Sequence, residues 1–178
     1  MTRDVIMVAL ELEKAHQTAE MILRDFISKI VPGMTESSLV RRFLEHQKEW
    51  GYPRNWHSPK IRVGANTIYA YKTKSPIDPP VKDGDLVLID VGIIVGEYES
   101  DLAITVPVGN PLREEIQLAH DSQDIWAQVK KTWKEETRSG KDLYLLAEEL
   151  AYSRGWILEI KLLNEERTLG SFYEEILR

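Results

Sequence analysis

A single acidic residue interrupts the most apolar stretch of the sequence. Residues 86–95 read LVLIDVGIIV, a pattern typical of a buried strand, and Asp90 stands in its middle. Burying an isolated carboxylate costs on the order of several kcal/mol, so Asp90 needs a partner. A turn near Gly96 returns the chain through residues 98–108, which predicts a β-hairpin.

A second carboxylate is expected beside the first. Asp101 lies eleven positions after Asp90, beyond the turn, where a cross-strand neighbour is expected. Two adjacent carboxylates repel each other unless a cation lies between them or they share a proton. In the structural alternative, Asp101 caps a turn and Asp90 accepts hydrogen bonds from backbone amides. The spacing leaves both interpretations open.

Further acidic residues occur near the C-terminus. Glu159 interrupts the apolar run WILEI, and Glu174 and Glu175 follow Phe172-Tyr173. Residues 156–163 and 168–177 predict a final pair of strands. In the alternative interpretation, Glu159 points to solvent from an edge strand. At least one of Glu174 and Glu175 is expected to belong to a solvated chain end.

Apolar residues at helical spacing predict four helices in two pairs. The first pair covers residues 5–30 and about 36–50, and the second covers about 112–136 and 141–154. Residues 52–85 contain most of the prolines and are expected to form loops with short strands.

The order of elements suggests an internal duplication. Each helix pair ends at a glycine followed by an aromatic residue, and an acidic hairpin comes next. This order predicts an α+β fold of two pseudo-symmetric halves, about residues 1–110 and 111–178, within a single domain of residues 1–178. The second half is shortened: 39 residues separate Gly51 from Asp90, but only 4 separate Gly155 from Glu159.

Composition narrows the class of protein. Of 178 residues, 43% are hydrophobic and 29% are charged, which is typical of a globular chain. The net charge of −6 and the scattered lysines and arginines argue against a nucleic-acid partner. Cysteine is absent, which excludes disulfides, thiolate metal sites and a cysteine nucleophile. With neither a signal-peptide pattern nor a membrane-spanning stretch in the sequence, we expect a cytoplasmic protein without a membrane partner.

The first acidic hairpin carries a family motif. It reads GDLVLIDVG and then GEYESDLAITVPVG, which resembles the methionine aminopeptidase, Xaa-Pro aminopeptidase and prolidase family with its pita-bread fold. The Asp-to-Asp spacing matches the first two metal ligands of that family. The segments WILEI and LGSFYEEIL are similar to its closing strands, which carry two ligand glutamates. The resemblance therefore implies the metal ligands Asp90, Asp101, Glu159 and Glu174, with Glu175 as the second choice.

The sequence departs from that family at the histidines. Family members have one ligand histidine, and a second that handles substrate, between the fourth helix and the first ligand glutamate. About 35 residues are missing there. A further histidine would fall near residues 71–72, which are tyrosine and lysine. Of the four histidines present, three are expected on helices and one in a loop upstream of the motif, so all are poor candidates as ligands: His16, His46, His120 and His57.

The resemblance implies a metal-dependent aminopeptidase-like hydrolase of the Xaa-Pro or methionine aminopeptidase type. Its dinuclear-type carboxylate site is expected to be weak or impaired, with peptide N-termini as substrates and no assigned general acid or base. The alternative is a catalytically inactive scaffold that acts as a binding module. An oxygen-only ligand set favours Mn²⁺, with Co²⁺, Fe²⁺, Zn²⁺ and Mg²⁺ as other candidates. A homodimer is a further expectation.

Overall fold

The computed structural model describes residues 3–69 and 72–158, and this part of the chain divides into two compact units. The first unit comprises residues 3–69 and 73–111, and the second comprises residue 72 and residues 112–158. The single domain expected over residues 1–178 stays a prediction. Within the described ranges, no helix is both long and apolar enough to cross a membrane.

The first unit combines two long helices with a three-stranded antiparallel sheet of strand order β1-β2-β3. Its elements, in chain order, are α1 (Arg3–Ile27), α2 (Glu36–Glu49), β1 (Asn55–Val63), a short 3₁₀ helix (Gly64–Ile68), β2 (Leu86–Val95) and β3 (Tyr98–Pro107). A capping box starts α2, because the Thr35 hydroxyl accepts from the Ser38 N–H while the Ser38 hydroxyl accepts from the Thr35 N–H.

The two faces of β2 have different surroundings. Val87, Ile89, Val91 and Ile93 are fully buried and belong to the core formed with apolar side chains of α1 and α2. Successive side chains of a strand point to opposite faces, so Asp90 and its even-numbered neighbours lie on the face away from that core. The strand thus anchors the sheet with one face and places the Asp90 carboxylate on the other.

A buried carboxylate connects α2 to the end of β1. Glu36 Oε1 accepts hydrogen bonds from the Val63 N–H at 2.8 Å and from Asn66 Nδ2 at 2.9 Å. Glu36 Oε2 accepts from Ser75 Oγ at 2.6 Å. Because these donors satisfy a carboxylate that is almost removed from water, they hold the segment after β1 against the start of α2.

The second unit contains a helix pair, α3 (Arg113–Glu135) and α4 (Gly140–Ser153). Its core consists of small and branched apolar residues from both helices: Ile125, Val129, Leu143, Ala147 and Ala151. A polar cluster fixes the segment after α4. Asp121 accepts from the Trp156 indole at 2.7 Å and lies 3.7 Å from Arg154, which also pairs with Asp124 at 2.6 Å.

The four predicted helices and the hairpin of β2 and β3 are present, with ends within a few residues of the predicted ones. The expectation of loops and short strands over residues 52–85 was wrong for residues 55–63. These residues form a nine-residue strand paired with β2. The predicted strands at 156–163 and 168–177 lie almost wholly outside the described residues.

Candidate metal centre

The two aspartates of the hairpin occupy diagonal positions on one face of the sheet. Asp90 pairs with Ala103, and Asp101 pairs with Gly92, two positions along β2 from Asp90. Residues two apart on a strand share a face, and diagonal neighbours remain within reach of each other's side chains. Asp101 is therefore a diagonal cross-strand neighbour of Asp90, and the expected approach of the two carboxylates is confirmed, with an oxygen of each within 4.8 Å of the other.

A histidine of β1 reaches the same point. His57 on β1 pairs with Gly92, so the row His57–Gly92–Asp101 runs across the sheet. The β1–β2 register shifts on both sides of His57, between Asn55 and His57 and again between His57 and Lys60. Such bulges re-aim side chains locally, and here they bring His57 onto the face that carries both aspartates.

Gly92 leaves the space that the histidine occupies. A Cβ placed on Gly92 would lie 2.6 Å from His57 Nε2 and would also overlap the Trp56 indole. Real Cβ atoms do not approach other atoms this closely. The absence of a side chain at position 92 therefore lets the His57 ring cross β2 and reach Asp101 on β3.

The three side chains form one compact cluster of donor atoms. His57 Nε2 lies 3.5 Å from Asp101 Oδ1 and 3.6 Å from Asp90 Oδ1. One donor atom from each residue lies within 4.8 Å of the other two. The opposite ring nitrogen, His57 Nδ1, lies 3.1 Å from the Ser58 carbonyl oxygen. All three side chains are largely shielded from solvent, with exposed fractions of 13 to 21%.

Burial and mutual charge shift the protonation of the cluster. Burial raises the pKa of Asp90 to about 6; the His57 charge opposes this rise, the Asp101 charge adds to it, and Lys60 opposes it. Burial alone would lower the pKa of His57. The hydrogen bond to Asp101, the Ser58 carbonyl and the charges of Asp90 and Asp101 outweigh that effect and raise the pKa.

Only part of the predicted ligand set lies in the described ranges. The structure brings Asp90 and Asp101 together, whereas Glu159, Glu174 and Glu175 lie outside the described residues. The role of all these side chains as metal ligands stays a prediction.

The interpretation of His57 as a loop residue was wrong, because it lies in β1 beside both aspartates. His16, His46 and His120 lie on helices, as expected. Sequence reasoning missed His57 because its distance along the chain from Asp90 was taken as distance in space. The available signal was the glycine at position 92, which leaves room on the site face for a side chain from a neighbouring strand.

Comparison with known proteins decides the family. The model of metallopeptidase family M24 matches residues 11–175. The chain belongs to metallopeptidase family M24. The Xaa-Pro dipeptidase of Pyrococcus furiosus is 25% identical over 148 residues, which cover 82% of this chain and 41% of that protein. An uncharacterized peptidase of Staphylococcus aureus is 26% identical over 104 residues, covering 58% of this chain and 29% of the relative.

Solved structures share the fold of this chain. The crystal structure of a prolidase from Thermococcus sibiricus superposes with a TM-score of 0.67 at 22% identity, covering 81% of this chain and 39% of that one. The predicted α+β, pita-bread-like fold is confirmed. This M24 chain spans less than half the length of the curated relatives described above.

The described residues of this M24 chain fit a divalent ion. Carboxylate oxygens and an imidazole nitrogen are the donors that Mn²⁺, Co²⁺, Fe²⁺ and Zn²⁺ accept in proteins. Two carboxylates on a shielded face repel each other, and a cation between them removes that repulsion. The high pKa of Asp90 reflects the same unfavourable burial of charge, which an ion would offset.

Proposed function

We propose that this chain is a metal-dependent peptide hydrolase domain of the Xaa-Pro or methionine aminopeptidase type, with low activity. The observation that carries the proposal is the convergence of Asp90, Asp101 and His57 on one shielded face of the sheet. Family membership supports the reaction class, and the named relatives motivate peptide N-termini as the substrates. Cytoplasmic location stays a prediction.

The aspartates of this proposed site hold and orient a divalent ion. When bound, such ions polarise the scissile carbonyl and lower the pKa of the attacking water. Asp90 and Asp101 supply oxygen donors from adjacent strands, so the sheet itself fixes their separation. Glu159 and Glu174 are proposed to complete the ligand set. Mn²⁺ is the first candidate ion, and Co²⁺ is the second.

The low activity follows from the groups that the sequence lacks. The chain passes from Gly155 to Glu159 within four residues, which leaves no room for the segment that carries both histidines in the family. A positioned acid or base contributes about 10²–10⁴-fold to the rate of such a reaction. An enzyme without the family's second-half histidines is therefore expected to turn over slowly even when its metal site is full.

The test is hydrolysis of Xaa-Pro and Met-Xaa peptides by the full chain in saturating Mn²⁺ or Co²⁺. We expect turnover above that of Asp101→Asn but well below about 1 per second, the lower end of ordinary enzyme rates. Glu99→Gln, an exposed carboxylate on the same strand, is the matched control and should behave as wild type. Turnover at about 1 per second or faster would show that the proposed impairment is wrong.

A catalytically inactive binding scaffold is the second candidate function. The short connection between Gly155 and Glu159 favours it, because both family histidines of that segment are missing. Wild-type turnover equal to that of Asp101→Asn under all metal conditions would support this candidate and contradict the peptidase proposal. Metal binding would then have a structural role or be absent.

A further inference from the structure

We infer that His57 is a nitrogen ligand of the divalent ion, so that β1, β2 and β3 each contribute one ligand to a single site. The inference rests on the proposed ion at Asp90 and Asp101 and adds a ligand to it. It also assigns a role to a strand that the sequence motif does not include.

The distances match those between ligands of one ion, and the hydrogen bond between His57 and Asp101 is a long one. An N–H···O hydrogen bond is usually about 2.9–3.0 Å long. His57 Nε2 is 3.5 Å from one carboxylate oxygen and 3.6 Å from the other, so it approaches both almost equally and neither closely. Ligand atoms about 2.0–2.2 Å from a tetrahedral ion lie about 3.3–3.6 Å apart. The two distances from His57 Nε2 thus match the spacing of neighbouring ligands in one coordination shell, and the two carboxylate oxygens lie within 4.8 Å of each other.

The hydrogen bond made by Nδ1 of His57 orients the ring so that Nε2 can bind a metal ion. His57 Nδ1 lies 3.1 Å from the Ser58 carbonyl oxygen, so it donates its proton there. In the neutral ring, this tautomer leaves the lone pair on Nε2, which faces both carboxylates. Metal-bound histidines usually donate their other N–H to a carbonyl or carboxylate, which fixes the tautomer and the ring orientation. Without an ion or a proton on Nε2, that lone pair would face two negative oxygens.

Two backbone features serve this placement. The bulges on either side of His57 turn its side chain onto the site face, and Gly92 leaves room for the ring to cross β2. Bulges interrupt the ladder hydrogen bonds, and glycine weakens a strand interior. A histidine with only a packing role would not need both features in the strand pair that carries Asp90.

A nitrogen ligand changes which ions the site prefers. Oxygen-only sites suit Mg²⁺ and Mn²⁺, whereas imidazole favours later transition metals such as Co²⁺ and Zn²⁺. With His57 as a ligand, the described donors become two oxygens and one nitrogen. We therefore expect His57→Gln to lose more affinity for Co²⁺ than for Mg²⁺, because glutamine offers an oxygen but no imidazole nitrogen.

The experiment combines calorimetry with pulsed electron paramagnetic resonance on the full chain. Calorimetry gives the dissociation constants of Co²⁺ and Mg²⁺, and pulsed resonance of bound Mn²⁺ detects a directly coordinated ¹⁴N nucleus. The variants are His57→Gln and Asp101→Asn, with His120→Gln as the matched control because His120 is exposed on α3. Circular dichroism verifies that each variant is folded.

We expect the ¹⁴N coupling in wild type and His120→Gln and its loss in His57→Gln, with Co²⁺ affinity reduced at least about tenfold. If His57→Gln instead binds Co²⁺ as tightly as wild type while Asp101→Asn does not, the aspartates hold the ion and the inference is overturned. His57 would then serve only as a proton-bearing counter-ion. If wild type binds none of the three ions, both the inference and the proposed metal site fail.

Discussion

The charge of Asp90 is costly in this position. Its carboxyl group is mostly buried, and its nearest charged neighbours include a second carboxylate. The proposed cation would offset this cost, and ligands that are stable alone would gain less from it. At this position, the requirements of stability and of metal binding conflict.

The first prediction concerns Asp90→Asn in the presence of a chelator. The pKa of Asp90 is about 6 in the folded state and near 3.8 in the unfolded chain, so folding favours the neutral form. Ionisation then lowers the free energy of unfolding, with no effect below about pH 4, a growing effect between pH 4 and 6, and the full effect above pH 6. Because the side chain is partly exposed, we expect the variant to be more stable by about 1–3 kcal/mol at pH 7.5.

Urea unfolding at pH 4 and pH 7.5 measures this difference. The gain should shrink towards zero at pH 4, and Glu99→Gln should show no comparable gain. Added Mn²⁺ should reverse the order at pH 7.5, because only the wild type keeps both carboxylate ligands. A variant that is less stable than wild type at pH 7.5 without metal would contradict the proposed burial cost.

The second prediction concerns Gly92→Ala. The added methyl group would overlap the His57 ring, so the ring must rotate away from Asp101. We expect a loss of Co²⁺ affinity similar to that of His57→Gln, although all three donor residues remain in the sequence. Calorimetry checks the affinity, and a variant that binds Co²⁺ like wild type would show that the space above Gly92 is not needed.

At the scale of elements, the carboxylate that connects α2 to β1 supports the strand that carries His57. Glu36 accepts hydrogen bonds from three groups: the Val63 N–H at the end of β1, Asn66 in the 3₁₀ helix, and the Ser75 hydroxyl. Arg62 of β1 also donates to the Ser75 hydroxyl and the Thr73 carbonyl. The position of β1 therefore depends on a polar network as well as on its pairing with β2.

The third prediction compares Glu36→Ala with Glu36→Gln. Alanine removes the acceptor of the buried Val63 N–H and of the Ser75 hydroxyl, while Asn66 Nδ2 keeps a hydrogen bond to the Ile77 carbonyl. Each buried donor left without an acceptor costs about 1–3 kcal/mol. We expect Glu36→Ala to lower the free energy of unfolding by about 3–5 kcal/mol, and Glu36→Gln, which keeps an acceptor oxygen, to cost clearly less. Chemical denaturation of both variants provides the measurement. Equal costs would mean that the side-chain volume of Glu36, rather than its hydrogen bonds, stabilises the unit.

The sequence predicts elements well where residue periodicity alone decides them. The helices and the hairpin have regular apolar spacing, and the family motif indicated that Asp90 and Asp101 belong to one site. Short strands were expected within residues 52–85, but the position and length of β1 were not predicted because it contains Pro59, and because two bulges break the alternation that identifies a strand. His57 was missed for the same reason: its face depends on pairing with β2, which no local pattern records.

At the scale of the whole molecule, the described donors all belong to the first compact unit. A ligand that binds only the folded state stabilises it, by about 2.7 kcal/mol at a concentration of one hundred times the dissociation constant. The stabilisation should therefore be largest for the elements that carry the donors, namely the three strands.

The fourth prediction is a thermal and hydrogen-exchange response to Mn²⁺. For a chain of this size, 2.7 kcal/mol corresponds to a rise in melting temperature of about 5–10 °C. Amides of β2 and β3 should exchange more slowly when Mn²⁺ is present. Both effects should disappear in Asp101→Asn and persist in Glu99→Gln. A shift of equal size in Asp101→Asn would place the ion elsewhere on the chain.

The two faces of β2 have a consequence for how the protein tolerates random mutation. In a library that scores cellular abundance and ion binding separately, substitutions at Val87, Ile89, Val91 and Ile93 should reduce abundance, because these side chains fill the core. Polar substitutions at Asp90 should leave abundance intact while ion binding is lost, because this side chain lies on the other face of the strand. The two phenotypes would then occur at neighbouring residues of one strand, so a lineage that no longer needed the ion could lose its chemistry without losing its fold.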